Sequence, residues 1–293
     1  LVDASVYIFR AWFSMPEGFA NPQGQPTNAV YGFARFLCEL MEQTQTTSLA
    51  IAFDESLTQS FRNEIYPDYK ANRDPAPEDL KRQFYWCRDL VGTLGIPAYW
   101  SDRFEADDLL ASLATHCQKS NQAVCVVSGD KDLAQLVVGP DDTWWDFSKN
   151  RRLDASGVHA HFGVHPHQIA DFLALTGDAV DNIPGVPGIG PKSAAALLAH
   201  FGDLDSVLNR KDEVEWLSLR GAKRIANALR EHEEAARLAR ELTGLAHDIE
   251  SVHANPLIDR TAGSPDGLDA LMDALGFGVP LRKRLHKTLQ ALP

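Results

Sequence analysis

The sequence predicts an α/β protein in which a doubly wound parallel layer is followed by an almost wholly helical region. Short apolar, strand-like runs at residues 1–5, 49–53, 96–100, 123–127 and 143–147 are separated by segments of helical spacing, an alternation for which parallel order is the strong prior. From Asp154 onward the strand-like runs give way to helical periodicity. At 293 residues with 44% hydrophobic content, the chain can build one large domain and a smaller one.

Taken in order, residues 1–5 read as the end of a buried strand that delivers Asp3 to its carboxyl edge, where open parallel sheets bind ligands. Residues 15–27, rich in proline and glycine, form a loop, and Thr27 is placed to cap a helix through Ala29, Val30, Phe33, Phe36, Leu37 and Leu40. The second strand also ends in an acid, Asp54. Between 56 and 88 aromatics interleave with bases, as in single-strand grooves where rings stack on bases and cations track phosphates. For 84–88 the preferred reading is an amphipathic helix with a basic solvent face and an aromatic core face. Tyr69-Lys70-x-x-Arg73 is read as functional, because its cations lie one turn apart in a segment with few aliphatics.

Glu105, Asp107 and Asp108 open an apolar helical run through Leu109, Leu110, Leu113 and Cys117. Acids in a first helical turn offset the macrodipole and cap free amides, so alone they prove little. The strand at 123–127 runs straight into Ser128-Gly129-Asp130-Lys131-Asp132, and Trp144 and Trp145 of the next strand are expected in the core. A helix carrying Ile169, Phe172, Leu173 and Leu175 ends at Gly177, followed by Asp178, Asp181 and a glycine-rich turn with Gly185, Gly188 and Gly190. Amides presented by such a turn at the start of a helix beginning at Pro191 make an anion cradle suited to phosphate. Lys192 and a second turn bearing Arg220 and Lys223 strengthen that reading. Two further helices are expected at 268–275 and 281–292.

Seven of the nine singled-out acids, Asp3, Asp54, Glu105, Asp107, Asp108, Asp130 and Asp132, fall at strand ends or the helix start beside them, and Asp178 and Asp181 supply two more. Such a cluster repels itself unless hard cations neutralise it, and oxygen-only donors favour Mg²⁺ or Mn²⁺ over zinc. So many acids exceed the needs of one Mg²⁺; two ions suit in-line displacement at a phosphodiester.

The net charge of −12 argues at first against nucleic acid, but basic clusters at 62–88, 220–224 and 282–287 can face a polyanion locally. Of the last, a solvated basic face is the preferred reading. Four cysteines without zinc-like spacing read as reduced core thiols of a cytoplasmic protein. No apolar run approaches bilayer length and no signal peptide is visible, so no membrane role is expected. The chain begins at Leu1 inside an apolar run, and the natural N-terminus is expected to lie further upstream.

With their motifs assembled, residues 1–5, Phe53-Asp54, Tyr69-Lys70-x-x-Arg73, Glu105-Ala106-Asp107-Asp108, Ser128-Gly129-Asp130-Lys131-Asp132 and the stretch 177–190 resemble, in order, the bacterial and phage 5′-3′ exonuclease and flap endonuclease family, which includes the nuclease domain of bacterial repair DNA polymerase. The resemblance covers about residues 1–245. It implies a PIN-like core with a helical arch at about 56–95 within a domain 1–175, then a helix-hairpin-helix and C-terminal helical region at 176–293. It also implies K⁺ at the hairpin around Gly185 to Gly190, two Mg²⁺ or Mn²⁺, and products bearing a 5′-phosphate and a 3′-hydroxyl. By position Asp3, Asp54, Glu105, Asp107, Asp108, Asp130 and Asp132 serve the first metal, and Asp178 and Asp181 the second. Lys70 and Arg73 would engage the scissile phosphate and Tyr69 would stack on a terminal base. Gly185, Gly188, Gly190, Lys192, Arg220 and Lys223 would contact duplex DNA. Ala4 and Ser128, where relatives often carry glycine and threonine, should matter little.

The expected activity is structure-specific 5′ nuclease action in DNA replication and repair, by a monomer that is either stand-alone or an excised domain. Expected substrates are 5′ flaps, 5′ overhangs and nicked or branched duplexes, with some RNA/DNA hybrid. A non-catalytic branched-DNA binder has no use for nine self-repelling acids. A PIN-type ribonuclease has no evident need of the hairpin and second basic turn.

Overall fold

The computed structural model describes residues 1–16, 18–55, 60–254 and 256–291. Its centre is a six-stranded sheet of β1 (Val2–Asp3), β2 (Ile51–Ala52), β3 (Ala98–Tyr99), β4 (Cys125–Val127), β5 (Thr143–Asp146) and β6 (Arg151–Leu153), in the order β3-β2-β1-β4-β5-β6. The first five strands are parallel, with Val2 beside both Ile51 and Val127. β6 pairs antiparallel with β5 through a turn at Asn150, where φ is +48°. The all-parallel expectation fails there because Arg151-Arg152-Leu153 carries no apolar run to announce a strand. Chain order reverses between β1 and β4, so the crevice outside their carboxyl ends is the topological switch point at which such sheets bind ligands.

Strand alternation sends side chains into two cores. Leu49, Ile51 and Phe53 face one with Val2, Val127 and Trp145, while Ala50, Ala52, Val126 and Trp144 face the other. Over the first lie α1 (Ala4–Ser14), α2 (Asn28–Thr44) and, beyond a short α3 (Phe61–Ile65), α4 (Glu78–Thr93); over the second lies α5 (Ala106–Lys119). β1 stops at Asp3, which also caps α1, so residues 4–5 are helix rather than strand. Thr27 occupies the N-cap of α2 but its side chain makes no capping bond; the fully buried Gln83 of α4 instead accepts from Ala29 and Val30 N–H at 2.7 and 3.0 Å.

From residue 154 onward the regular elements among the described residues are helices, as expected: α6 (Ala155–Phe162), α7 (Ile169–Thr176), α8 (Pro191–Phe201), α9 (Leu204–Asn209), α10 (Ala222–Glu231), α11 (Glu233–Thr243), α12 (Glu250–His253), α13 (Pro265–Leu275) and α14 (Val279–Gln290). α6 to α12 extend the second core, but Leu268, Met272, Leu281 and Leu285 of α13 and α14 return to the first, against α2 and α4. α4 likewise does not stand free as an arch: Leu80, Phe84, Cys87, Leu90 and Val91 bury one face, and Tyr85 turns outward. The first arch residues, 56–59, and Leu292 of the last expected helix lie outside the described residues. No described helix is long and apolar enough to cross a membrane.

Candidate active site

Three of the five parallel strands, β1, β2 and β4, deliver an acid to the same edge. Asp3 follows Val2 at the end of β1 and is 3% exposed; its Oδ2 accepts from Ser128 Oγ at 2.8 Å. Ser128 Oγ in turn accepts from Asp130 N–H at 3.0 Å, so one hydroxyl just past β4 spaces two carboxylates across the switch point. A threonine there would supply the same hydroxyl. Asp54 follows β2; its N–H donates to Ser5 Oγ and its Oδ1 accepts from Ala106 N–H at 2.8 Å, locking the start of α5 to the end of β2. That contact brings Asp107 to the cluster. Asp130 Oδ1 caps the Asp132 N–H at 2.9 Å.

The electrostatics are those of crowded like charges. Burial, reinforced by Asp54 and by Asp130, pushes the Asp3 carboxyl up from 3.8 to about 7. Burial together with Asp130, Asp3 and Asp54 pushes Asp107 up, against the pull of Lys70. Burial and then Asp130 do the same to Asp132, against the pull of Lys131, whose ammonium lies 3.4 Å from the Asp132 Oδ1, an atom with no well-formed hydrogen bond among the described residues. A cluster of oxygen donors that resists ionisation, with an orphaned acceptor inside it, fits a hard divalent cation. Among the described residues no group of three or more His, Cys, Asp or Glu is arranged to hold a metal ion as it stands. Protein cations already pair with several of the acids.

Those cations come from Tyr69-Lys70-x-x-Arg73 and from Lys131. Lys70 Nζ lies 2.5 Å from Glu105 Oε1 and 3.7 Å from Asp181 Oδ2, and its N–H donates to Asp181 O at 3.0 Å. Its φ is +57°, a left-handed conformation that lysine rarely adopts. Arg73 pairs with Asp181 Oδ1, and Lys131 with Asp178 Oδ2. Burial opposes ionisation of Asp181, yet Lys70 and Arg73 and the bonds from Tyr69 and Arg73 hold its carboxyl below the ordinary range.

Two expected site residues are placed differently. Asp108 is fully buried and saturated: Arg62 holds both its oxygens, and Ala246 N–H and Glu105 N–H also donate to it. It faces the protein interior rather than the acid cluster, because N3 of the helix points back into the capping box while N2, Asp107, points out. Tyr69 is 3% exposed, with its single hydroxyl proton shared between Glu105 Oε2 at 2.9 Å and Asp181 Oδ2 at 3.0 Å, so its ring offers no face to a base. A tyrosine beside two cations gave no sign of that burial.

The glycine turn leads into α8 as expected. Gly185 packs on α7's end so closely that a Cβ would sit 2.3 Å from Gly177 N, and Asp178 and Ile183 exchange backbone hydrogen bonds at 2.9 and 2.8 Å. Gly188, with φ +82°, lies under the Arg224 guanidinium. The sequence places Arg224 in the basic cluster 220–224 but singles out only Arg220 and Lys223 of the second turn as contact residues. Among the described residues Lys192, Arg220, Lys223 and Arg224 have no carboxylate partner, whereas Arg210, Lys211, Arg230 and Arg237 nearby are all paired. Arg62, Ser128 and Lys131 were also missed, since only tertiary contact reveals them.

Residues 1–163 match the family model described as the 5′-3′ exonuclease N-terminal resolvase-like domain, and residues 164–260 the one described as the 5′-3′ exonuclease C-terminal SAM fold. The chain belongs to the 5′-3′ exonuclease family. A curated relative, DNA polymerase I of Mycobacterium bovis, is 38% identical over 297 residues, covering 99% of this chain and 32% of the relative. The chain thus spans about a third of the length of the curated relatives it matches. Among solved structures, the bacteriophage T5 D15 flap endonuclease in a pseudo-enzyme–product complex with DNA and metal ions aligns with TM-score 0.67 at 21% identity, covering 99% of this chain and 98% of that one. The catalytic core of Rad2 with DNA substrate aligns at TM-score 0.64 and 18% identity, covering 99% and 91%. Those likenesses establish the shared fold: a resolvase-like, PIN-like α/β domain with a parallel-dominated sheet and a helical SAM-like region.

Proposed function

We propose that this 5′-3′ exonuclease family member is a divalent-metal-dependent 5′ nuclease that hydrolyses DNA near 5′ ends and single/double-strand junctions, leaving a 5′-phosphate and a 3′-hydroxyl. One observation carries the reading: Asp3, Asp54, Asp107, Asp130 and Asp132 meet at the switch-point edge, where burial and like charge leave Asp3, Asp107 and Asp132 in need of a counter-cation. Mg²⁺ or Mn²⁺ bound there would supply an activated water and charge stabilisation at the leaving oxygen. Asp3, Asp54, Asp107, Asp130 and Asp132 would hold one ion, and Asp178 and Asp181, with Glu105 at the boundary, a second, once Lys131 and Arg73 release them.

The chain's own residues do the rest. Lys70, held between Glu105 and Asp181, carries an ammonium that can turn to the scissile phosphate and stabilise charge developing in the transition state. Arg73 adds a second donor on the same turn. Lys192, Arg220, Lys223 and Arg224, uncommitted to carboxylates, grip duplex phosphates, and carbonyls of the 185–190 turn are suited to K⁺. Substrates are 5′ flaps, overhangs and nicked or branched duplexes, with RNA/DNA hybrid as a lesser one, and the working form is a monomer.

The test is incubation with end-labelled 5′-flap DNA, single-stranded RNA and blunt duplex, with Mg²⁺ or EDTA, beside Asp130→Asn. Cleavage of the flap that needs Mg²⁺ and Asp130 is the expected result. Binding without such cleavage would overturn the assignment in favour of a branched-DNA binder, and preferential RNA cutting would make the protein a ribonuclease.

A further inference from the structure

On the outer flank of the same sheet edge, Arg88 of α4 lies between two aromatic rings, its guanidinium carbon 4.8 Å from the centroid of Tyr85 and 4.6 Å from that of Trp100. Arg88 is also ion-paired with Glu55, the residue after Asp54. Trp100 directly follows β3, the edge strand, level with Phe53, the residue before Asp54. A cation–π staple between α4 and β3 accounts for Arg88, but not for the rings' other faces, since Tyr85 and Trp100 remain 53% and 51% exposed. Beside Trp100 opens a cleft of about 790 Å³ lined by Arg88, Thr93, Ser264 and Leu271, room for a nucleotide.

We infer that Trp100 and Tyr85 form a stacking platform for unpaired bases of the single strand leaving the acid cluster. The inference rests on the nuclease reading above and adds to it the surface that receives the flap. Its geometry is that of a sequence-tolerant single-strand site: open π-faces at both ends of a guanidinium-centred stack. Glu55 neutralises Arg88, so recognition falls on base faces rather than phosphates. The platform also lies at the β3 end of the sheet, whereas Lys192, Arg220, Lys223 and Arg224, without a carboxylate partner among the described residues, sit on the helical region that packs on the other core, which separates a single-strand surface from a duplex one.

The test measures equilibrium binding, in Ca²⁺ to suppress cleavage, of three nicked duplexes: one with a 5′ thymidine flap, one with an abasic flap of equal length, and one without a flap. Stacking contributes about 1–3 kcal/mol per base, so Trp100→Ala and Tyr85→Ala should each weaken the thymidine flap about 5- to 150-fold. The abasic and flapless DNAs should bind the variants as they bind wild type, and Trp100→Phe should retain most affinity. Within wild type, abasic substitution should cost a similar factor, a comparison that stands even if Trp100→Ala folds poorly. Equal losses on all three DNAs, or none on the thymidine flap, would overturn the platform. If wild type preferred flapped to flapless DNA while Trp100→Ala kept that preference, the platform alone would fail; wild type without any flap preference would remove both the platform and the flap-nuclease reading.

Discussion

Arg62 and Asp108 meet fork to fork, Nη1 to Oδ2 at 2.7 Å and Nη2 to Oδ1 at 2.8 Å, with 2% and 0% of their side chains exposed. The three remaining Arg62 donors reach Leu242 O at 2.8 Å, Gly244 O at 2.7 Å and Glu105 Oε2 at 3.1 Å, so this pair ties α3 and α5 to the end of α11. Removing one partner of a buried pair strands the other, at a cost of about 3–5 kcal/mol. Asp108→Ala should therefore lower the denaturant midpoint in EDTA sharply. Asp130→Asn should leave it unchanged or raise it, because it deletes a charge that repels Asp3 and Asp107. If both variants lost stability equally, the division between structural and metal-facing acids would be wrong.

Asp3, Asp107 and Asp132 make metal-free stability depend on pH. Their folded-state pKa values are raised, Asp3 to about 7, so between the unfolded value of 3.8 and about 7 the native state binds more protons than the unfolded chain. This stability is fully present below that window and is lost as pH rises through it. Melting in EDTA should thus occur at higher temperature near about pH 5 than near about pH 8, and Mg²⁺ should recover most of the loss at the higher pH. A melting temperature that climbed with pH over this range in EDTA would contradict it.

Lys70→Ala removes the ammonium proposed to stabilise the transition state. Single-turnover cleavage should fall by about 10²–10³, the scale of one lost oxyanion donor, while flap affinity changes far less. Matching losses in affinity and rate would reduce Lys70 to a phosphate contact.

Lys192 and Arg224 should act through counterion release. Each changed to alanine should lower the salt slope of log binding constant by about 0.9 on duplex DNA. Cleavage of saturating substrate should hold. An unaltered slope would remove these residues from the duplex contact.

The strand-end acids were legible because a parallel sheet repeats one local event: an apolar run stops and a carboxylate follows, at Asp3, Asp54 and Asp130. Legibility ended where partners are far apart in sequence. Nothing near Asp108 announces Arg62, and nothing near Tyr69 announces that Glu105 and Asp181 will bury its hydroxyl. β6 was silent for a different reason: an edge strand of two arginines and a leucine owes its form to hydrogen bonding with β5. Likewise the amphipathic patterns of α13 and α14 disclosed helices without disclosing which core would take them.

The close approach of Gly177 and Gly185, with the two-way bonding of Asp178 and Ile183, joins the 185–190 turn to Asp178 and Asp181 in one tightly packed corner. Under the nuclease function proposed above, such a corner would act as a caliper. The span between the turn that would grip the duplex and the acids that would hold metal is then a property of the backbone, set before any substrate arrives.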